Sequence, residues 1–422
     1  MNARIFPGKL AGRVSPVIAS KSQTHRALIC AALADGPTEL RGAALSQDIE
    51  ATLRCLRALG AEIKIQKDAF CVSPIQNLQK NRLLDCGESG STLRFMLPVA
   101  AALNANCDFT GQGRLASRPL SPLYEAMRAH GAALSAQGRF PLSCRGQLLP
   151  GEYCIAGNVS SQFVTGLLLA LPLLPGDSRV MIEGPLASRP YVELTLDTLK
   201  CFGIRIGKDF AVPGNQRYIS PGSLTLEGDW SAAAFWLAAG ALSETGVLCG
   251  PLRRDSSQGD RAVVDLLQAF GAETQWREDG VFVRRGALRG IEFDAEDIPD
   301  LVPVLAVVAG MAQGQTRIRR ISRLRYKESD RVAAILQLLH GLAVEAEAED
   351  DTLTIRGHGG FRGGTVDGCR DHRVVMAAAV AATAAEGPVT ILGAEAADKS
   401  YPGFLSQFAA LGGHWENTDD GI

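Results

Sequence analysis

Residues 263–272 read Val-Val-Asp-Leu-Leu-Gln-Ala-Phe-Gly-Ala, and this stretch decides how the chain is built. Val263, Leu266, Leu267 and Phe270 fall on one face of a helix. Gly271 then stands where a chain leaving a helix turns through the left-handed region. The same phrase occurs at Leu53–Leu59 with Gly60, Leu123–His130 with Gly131 and Leu194–Phe202 with Gly203. It returns at Val332–His340 with Gly341 and Phe404–Leu411 with Gly412, so the glycines are 71, 72, 68, 70 and 71 residues apart. Each helix is followed by a short β-like run. Glu62–Gln66, Arg179–Ile182, Val281–Arg284 and Thr352–Ile355 alternate as strands do.

A second element keeps the same beat: Ser20–Leu33, Ser89–Leu103, Ser160–Leu174, Trp230–Leu242, Pro299–Ala312 and Asp371–Ala384. Each opens on polar residues and continues almost wholly apolar. A helix apolar all round must be covered all round, so an open solenoid is disfavoured. Six units of about 70 residues account for the 422-residue chain. Three units per domain gives a complete ring around each buried helix. The expected domains are 18–226 and 1–17 with 227–422, the N-terminal strand completing the last unit, with a crossover in the turn-rich Ser220–Asp229 stretch.

Composition narrows the class. Lys and Arg number 43 against 45 Asp and Glu, a net charge of −2, which removes the electrostatic case for a nucleic-acid partner. No apolar run reaches the roughly 18 residues of a membrane span, and no signal-peptide core precedes Pro7-Gly8-Lys9. A cytoplasmic globular protein, without membrane or nucleic-acid partners, is expected. The ten cysteines contain no pair closer than ten residues, and the six histidines form no HxxxH pair. Reduced, mostly buried thiols and no protein-held metal are therefore expected, with Cys30 and Cys201 inside apolar stretches.

Chemistry gathers at the starts of the apolar helices. They carry Ser20-Lys21-Ser22 with Arg26, Glu88-Ser89-Gly90-Ser91 with Arg94, Ser160-Ser161-Gln162, Ile298-Pro299-Asp300 and Asp371-His372-Arg373. Ser and Asp at such places are ordinary N-caps, but they also build anion sites. Lys and Arg oppose the helix dipole, so they call for an anionic partner. The run 317–331 is dense in Arg and Lys until Glu328 and Asp330 interrupt it. There Lys327, Glu328 and Arg331 meet at one helix start, a set suited to proton transfer beside a phosphorylated substrate.

In these motifs the chain closely resembles the 5-enolpyruvylshikimate-3-phosphate synthase family. Ser117-Arg118-Pro119, Ser188-Arg189-Pro190-Tyr191, Lys327-Glu328-Ser329-Asp330-Arg331 and Lys399-Ser400-Tyr401-Pro402 complete the set, in family order over residues 20–402. The resemblance implies an α/β, two-domain, inverted barrel-like enolpyruvyl transferase fold of six βαβαββ repeats, three per domain, with the active site between the domains. It implies transfer of the enolpyruvyl group of phosphoenolpyruvate to the 5-hydroxyl of shikimate 3-phosphate, by addition and then elimination of phosphate, in the route to chorismate and the aromatic amino acids. No metal and no organic cofactor is implied. By position, shikimate 3-phosphate falls to Lys21, Ser22, Arg26, Ser160, Ser161, Gln162, Ser188, Asp300 and Lys327. Phosphoenolpyruvate falls to Lys21, Gly90, Arg118, Gln162, Arg331, Arg373 and Lys399. Asp300 is the implied base, Glu328 or Lys399 the implied proton donor, and Lys21 joins the catalytic set.

Some positions depart from the family's commonest pattern: Glu88–Ser91, His25, Arg323 and Gly403. The sister family acting on UDP-N-acetylglucosamine carries a Lys-Asn pair and a loop Cys, where this chain has Lys21-Ser22 and a Cys-free 111–117 loop. A non-catalytic binding module would not need Asp300, Glu328, Lys21 and Lys399 together. An RNA-terminus cyclase would want a basic surface. A monomer is expected.

Overall fold

The computed structural model describes residues 1–418. Twelve α-helices occur in these residues, in pairs of one inner and one outer helix. In chain order they are α1 (Lys21–Leu33) and α2 (Gln47–Ala58), α3 (Gly90–Ala102) and α4 (Leu123–Ala129), α5 (Ser161–Ala170) and α6 (Arg189–Cys201). Then follow α7 (Trp230–Leu242) and α8 (Val263–Phe270), α9 (Val302–Met311) and α10 (Arg331–Gly341), α11 (His372–Ala382) and α12 (Phe404–Ala410). The odd-numbered helices are the apolar ones, and α9 and α11 are buried at every residue.

Four of the six inner helices start on side-chain caps. Ser89, Ser160, Asp229 and Asp371 each accept a hydrogen bond from a backbone N–H in the first turn that follows. Gly166 lets α5 cross α3 at backbone contact, since a Cβ there would lie 2.2 Å from the Arg94 carbonyl oxygen. Five of the six helix-ending glycines take the left-handed conformation, with φ between 75° and 110°. The fifth, Gly341, does not. Helix α10 continues through it, and Ala343 takes φ 63° two residues on.

The chain divides into two compact units, Lys21–Glu227 and Met1–Ser20 with Gly228–Ile422, the last four residues lying outside those described. Each holds three small mixed sheets, and none of the six closes into a barrel. The strand order repeats: a parallel pair joined through an inner helix, then the two strands of a hairpin added antiparallel. Leu83–Asp85 thus pairs in parallel with Asp108–Thr110, which pairs antiparallel with Leu142–Arg145, followed by Ala133–Leu134. Glu292–Asp294, Gln313–Arg319, Thr352–His358 and Glu345–Glu349 repeat the order in the other unit.

Three sheets are completed from far away in sequence. Ser223–Thr225, inside the stretch read as a turn-rich crossover, pairs in parallel with Thr38–Arg41 and so supplies the first repeat's opening strand. Gly12–Val14 does the same for Val247–Cys249. Ala3–Phe6 lies between Val389–Leu392 and His414–Asn417, with Ile5 opposite Val389 and Trp415. The third repeat falls short of the expected pattern: its sheet has three strands, Glu152–Ala156, Ser178–Glu183 and Ala211–Val212. One cysteine expectation also fails. Cys201 is exposed, because it ends α6 on the solvent side, and Cys154 is exposed as well.

In the second unit α7, α9 and α11 pack on one another around a core that includes Trp230, Phe235 and Trp236. Each such side chain contributes about 1.5–3 kcal/mol through burial. The starts of these three helices are held in fixed places by that packing, and the predicted residues Asp300 and Arg373 stand at the starts of α9 and α11. No helix among the described residues is long and apolar enough to cross a membrane.

Candidate active site

In the unit Lys21–Glu227 the predicted residues lie at the starts of α1, α3, α5 and α6. Lys21 opens α1, and its Nζ lies 2.6 Å from Oδ2 of Asp48, in the first turn of α2. The anion that a lysine at a helix start requires is thus supplied internally, by a residue the motif reading missed. Its sequence signal was weak: an acid in a first turn is ordinary.

Arg26, one turn into α1, is 2% exposed. Its Nε donates to Thr195 Oγ1 at 2.8 Å, Nη1 to the Ser22 carbonyl at 2.6 Å, and Nη2 to Thr165 Oγ1 at 3.2 Å and the Tyr191 carbonyl at 2.9 Å. The guanidinium lies 5.1 Å from the centre of the Phe95 ring. These hydrogen-bond partners are neutral, and burial pushes the Arg26 guanidinium down to about 10. Beside it the His25 imidazole meets Thr52 Oγ1 at 2.7 Å, continuing through Thr92 to Ser89 and tying α1, α2 and α3 together. Burial, then Lys21 and Arg26, hold His25 well below its usual value, so it is neutral.

Gly90 opens α3. A Cβ there would come within 2.8 Å of the Arg118 guanidinium carbon, so the missing side chain is what lets Arg118 lie against the helix start. Arg118 precedes Pro119, which favours the extended conformation it takes, φ −73° and ψ 137°. Gln162, in α5, accepts from Arg94 at 2.6 Å and donates to Ser91 at 3.0 Å. Ser160 caps α5, and Ser161 is buried at its first position. Ser188 caps α6 with φ 55° and ψ 40°, a left-handed conformation that costs a non-glycine residue about 1–2 kcal/mol.

In the other unit the centre is Arg331, the first residue of α10, 1% exposed. Its Nε donates to Asp371 at 2.8 Å, Nη1 to Asp300 at 2.7 Å and Nη2 to Glu328 at 2.8 Å. Asp300, in the turn ahead of α9, also accepts from Arg373 Nη2 at 2.9 Å and lies 3.7 Å from Lys327 Nζ. Burial works against its charge, yet Arg373, Lys327 and Arg331 together hold the Asp300 carboxyl well below the usual range. Asp371 behaves likewise: burial opposes its charge, and Arg331 above all holds it low. Arg331 is raised by its three acids against the opposing effect of burial. Lys327 is pushed down to about 8 by burial, with Asp300 offsetting part of that. Lys399 donates to the Arg370 carbonyl at 2.8 Å, close to the start of α11.

The structure therefore brings Asp300, Lys327, Glu328, Arg331 and Arg373 into one network, with Lys399 near it. Asp371 had been read as part of a helix start; it is the buried acid that orients Arg331. The other arginines of the 317–331 run are exposed or half-buried, with Ile318, Ile321 and Leu324 buried between them. Arg319 pairs with Glu292, Arg320 with Asp294 and Glu296, Arg325 with Asp330, and Arg323 donates to the Glu296 carbonyl. No group of three or more potential metal ligands occurs among the described residues.

Comparison with known proteins gives a consistent result. The family model described as EPSP synthase (3-phosphoshikimate 1-carboxyvinyltransferase) matches residues 6–408. The 3-phosphoshikimate 1-carboxyvinyltransferase of Clostridium kluyveri is 42% identical over 415 residues, 97% of each chain. That of Clostridium novyi is 38% identical over 427 residues, 98% of each. Among solved structures, an EPSP synthase from Acinetobacter baumannii matches with a TM-score of 0.82 and 25% identity, covering 99% of this chain and all of that one. An enolpyruvyl transferase from Streptomyces tendae, at 20% identity and a TM-score of 0.80 over 99% and 98% of the chains, shares the fold.

Proposed function

Because the chain belongs to the EPSP synthase family, we propose that it transfers the enolpyruvyl group of phosphoenolpyruvate to the 5-hydroxyl of shikimate 3-phosphate, releasing phosphate, within the shikimate pathway to aromatic amino acids. The observation that carries this reading is the family match over residues 6–408, with the motif residues in place throughout.

Shikimate 3-phosphate is assigned Lys21, Ser22, Arg26, Ser160, Ser161, Gln162, Ser188, Asp300 and Lys327. Arg26 supports this assignment. A buried cation whose hydrogen-bond partners are neutral gains most from a phosphate dianion nearby. Phosphoenolpyruvate is assigned Lys21, Gly90, Arg118 and Gln162, with Arg331, Arg373 and Lys399.

The reaction needs a proton delivered to the methylene carbon of phosphoenolpyruvate while the hydroxyl oxygen attacks its C2. A proton is then removed from the resulting methyl group as phosphate leaves. Asp300 is ionised across the neutral range, so it can accept the proton of the 5-hydroxyl. Arg331 and Arg373 on its two oxygens make it a weak base at rest. An incoming carboxylate or phosphate that draws Arg373 away raises its proton affinity when substrate is present. Glu328 or Lys399 is the assigned donor to carbon.

Purified protein given both substrates is expected to release inorganic phosphate with EDTA present and to leave UDP-N-acetylglucosamine unmodified. A strict metal requirement, transfer to the sugar nucleotide, or no turnover would overturn the reading. A cytoplasmic monomer of 44.8 kDa belongs to the same proposal, and light scattering on the purified protein tests the mass.

A further inference from the structure

Four side chains inside the unit Lys21–Glu227 form a chain of hydrogen bonds that the assignments above leave unused. They are His25 of α1, Thr52 of α2, Thr92 of α3 and Ser89, the cap of α3, and all four are buried. His25 Nδ1 lies 2.7 Å from Thr52 Oγ1, which lies 2.7 Å from Thr92 Oγ1. The last link has a direction. Thr92 Oγ1 donates to Ser89 Oγ at 2.8 Å, and the Thr92 N–H donates to the same oxygen at 3.2 Å. A hydroxyl has one proton to give. Thr52 therefore donates to Thr92, and His25 donates to Thr52 through a protonated Nδ1. Nε2 is left with its lone pair, buried and without a hydrogen-bond partner among the described residues. That is the neutral imidazole, the form favoured by burial above all and then by Lys21 and Arg26.

The chain runs between two groups of predicted residues. At one end, His25 stands one turn after Lys21 on α1, and Thr52 one turn after Asp48 on α2. The Lys21–Asp48 ion pair and the His25–Thr52 hydrogen bond are thus successive rungs between the same two helices. At the other end, Ser89 immediately precedes Gly90, against which Arg118 lies. His25 and Ser89, two of the departures from the family's commonest pattern, are the two ends of this one chain.

We infer that Thr52 is a positioning residue for phosphoenolpyruvate, fixing the spacing of Lys21 from Gly90 and Arg118 without touching the substrate. The inference rests on the transferase reading above. Phosphoenolpyruvate is a small, rigid anion, so cations carried by different elements grip it well only at one separation. A buried hydroxyl chain holds that separation stiffly, because each broken link leaves a polar atom unpaired away from water. The start of α3 has one other tie, the Gln162–Ser91 hydrogen bond to α5. Helix α1 is joined to α5 and α6 independently, by Arg26 through Thr165, Thr195 and the Tyr191 carbonyl. Loss of the Thr52 hydroxyl therefore loosens the α3 start against α1, while Arg26, Ser160, Ser161 and Ser188 stay together for shikimate 3-phosphate.

The test replaces Thr52 by Val, which keeps the shape and removes the hydroxyl, and by Ser, which keeps the hydroxyl. The KM for each substrate is measured with the other saturating, together with kcat and the melting temperature. Thr52→Val is expected to raise the KM for phosphoenolpyruvate about 5- to 10-fold, the worth of a buried hydrogen bond. Its KM for shikimate 3-phosphate and its kcat are expected to stay within about 2-fold of wild type. Thr52→Ser is expected to restore the KM for phosphoenolpyruvate to within about 2-fold of wild type. Thr92→Val cuts the same chain one link further on and is expected to reproduce the effect of Thr52→Val. A KM for phosphoenolpyruvate within about 2-fold of wild type in either valine variant, whatever its melting temperature, would make the chain merely structural and overturn the inference. So would an equal rise in both KM values, a serine variant that behaves like the valine one, or failure of both valine variants to fold. Wild type without any turnover would instead sink the transferase reading, a result distinguishable from all of these.

Discussion

Arg26, one turn into α1, and Arg331, the first residue of α10, are both buried guanidiniums, and they are compensated in opposite ways. Arg331 meets three carboxylates, one on each of its nitrogens. Arg26 meets two hydroxyls and two carbonyls. A guanidinium with a full set of internal anions holds structure together, and a ligand must compete for it. One set among neutral acceptors keeps a charge that only an external anion neutralises well. The contrast separates a cation answered inside the fold from a cation proposed to be answered by substrate. Both sit in motifs that look equally basic in sequence.

Four experiments break or sharpen this contrast. The largest effect is expected from Asp300→Ala, which removes a carboxylate that compensates Arg331 and is the proposed base. Its kcat should fall by about 10²–10⁴-fold, while chemical denaturation shows a folded protein because Asp371 and Glu328 still hold Arg331. Unfolding without a kinetic assay being possible would mark Asp300 as structural.

Arg331→Met should cost about 3–5 kcal/mol in denaturant unfolding, since it leaves buried carboxylates unpaired. It should also flatten the acid limb of stability. Asp300 and Asp371 are held low in the folded state, so their contribution is present above the unfolded value of about 4 and is lost as pH falls through their folded values. Wild type should therefore destabilise steeply below about pH 4, and Arg331→Met should show a shallower slope in the same titration.

Arg26→Met should do the reverse: little change in stability, about 1 kcal/mol or less, because Thr165, Thr195 and the Tyr191 carbonyl bond one another in its absence. Its KM for shikimate 3-phosphate should rise about 10- to 100-fold, the worth of a charge-assisted contact. A large stability loss without a KM effect would erase the distinction between the two arginines.

Gly90→Ala is the smallest change. The new methyl group meets the flexible end of Arg118, not backbone. A rise of about 10-fold or less in KM for phosphoenolpyruvate is expected, with an unchanged melting temperature. No kinetic effect at all would remove Arg118 from the binding set.

Much of the site was legible because its residues sit where local rules place them. Ser89, Ser160 and Asp371 read as caps and are caps. Lys327, Glu328 and Arg331 read as converging at one helix start, and Glu328 does bond Arg331. Residues at the site that carry no motif were missed. Asp48 is an ordinary first-turn acid until α2 brings it to Lys21. Thr165 and Thr195 look like filler in α5 and α6 until they wrap Arg26. Outside Lys327, Glu328 and Arg331, the charge of the 317–331 run is spent mostly in surface pairs of small energetic value.

The sequence by itself determined the six-beat plan, the twelve helices and which of them are buried, because helical periodicity and capping are local and survive in a one-dimensional reading. Only the tertiary structure decided which strands complete which sheets, bringing Ala3–Phe6, Gly12–Val14 and Ser223–Thr225 to partners far along the chain. It alone decided which buried charges are answered inside the protein. Strand pairing and charge compensation are contacts between residues distant in sequence, and composition records the residues without recording who meets whom.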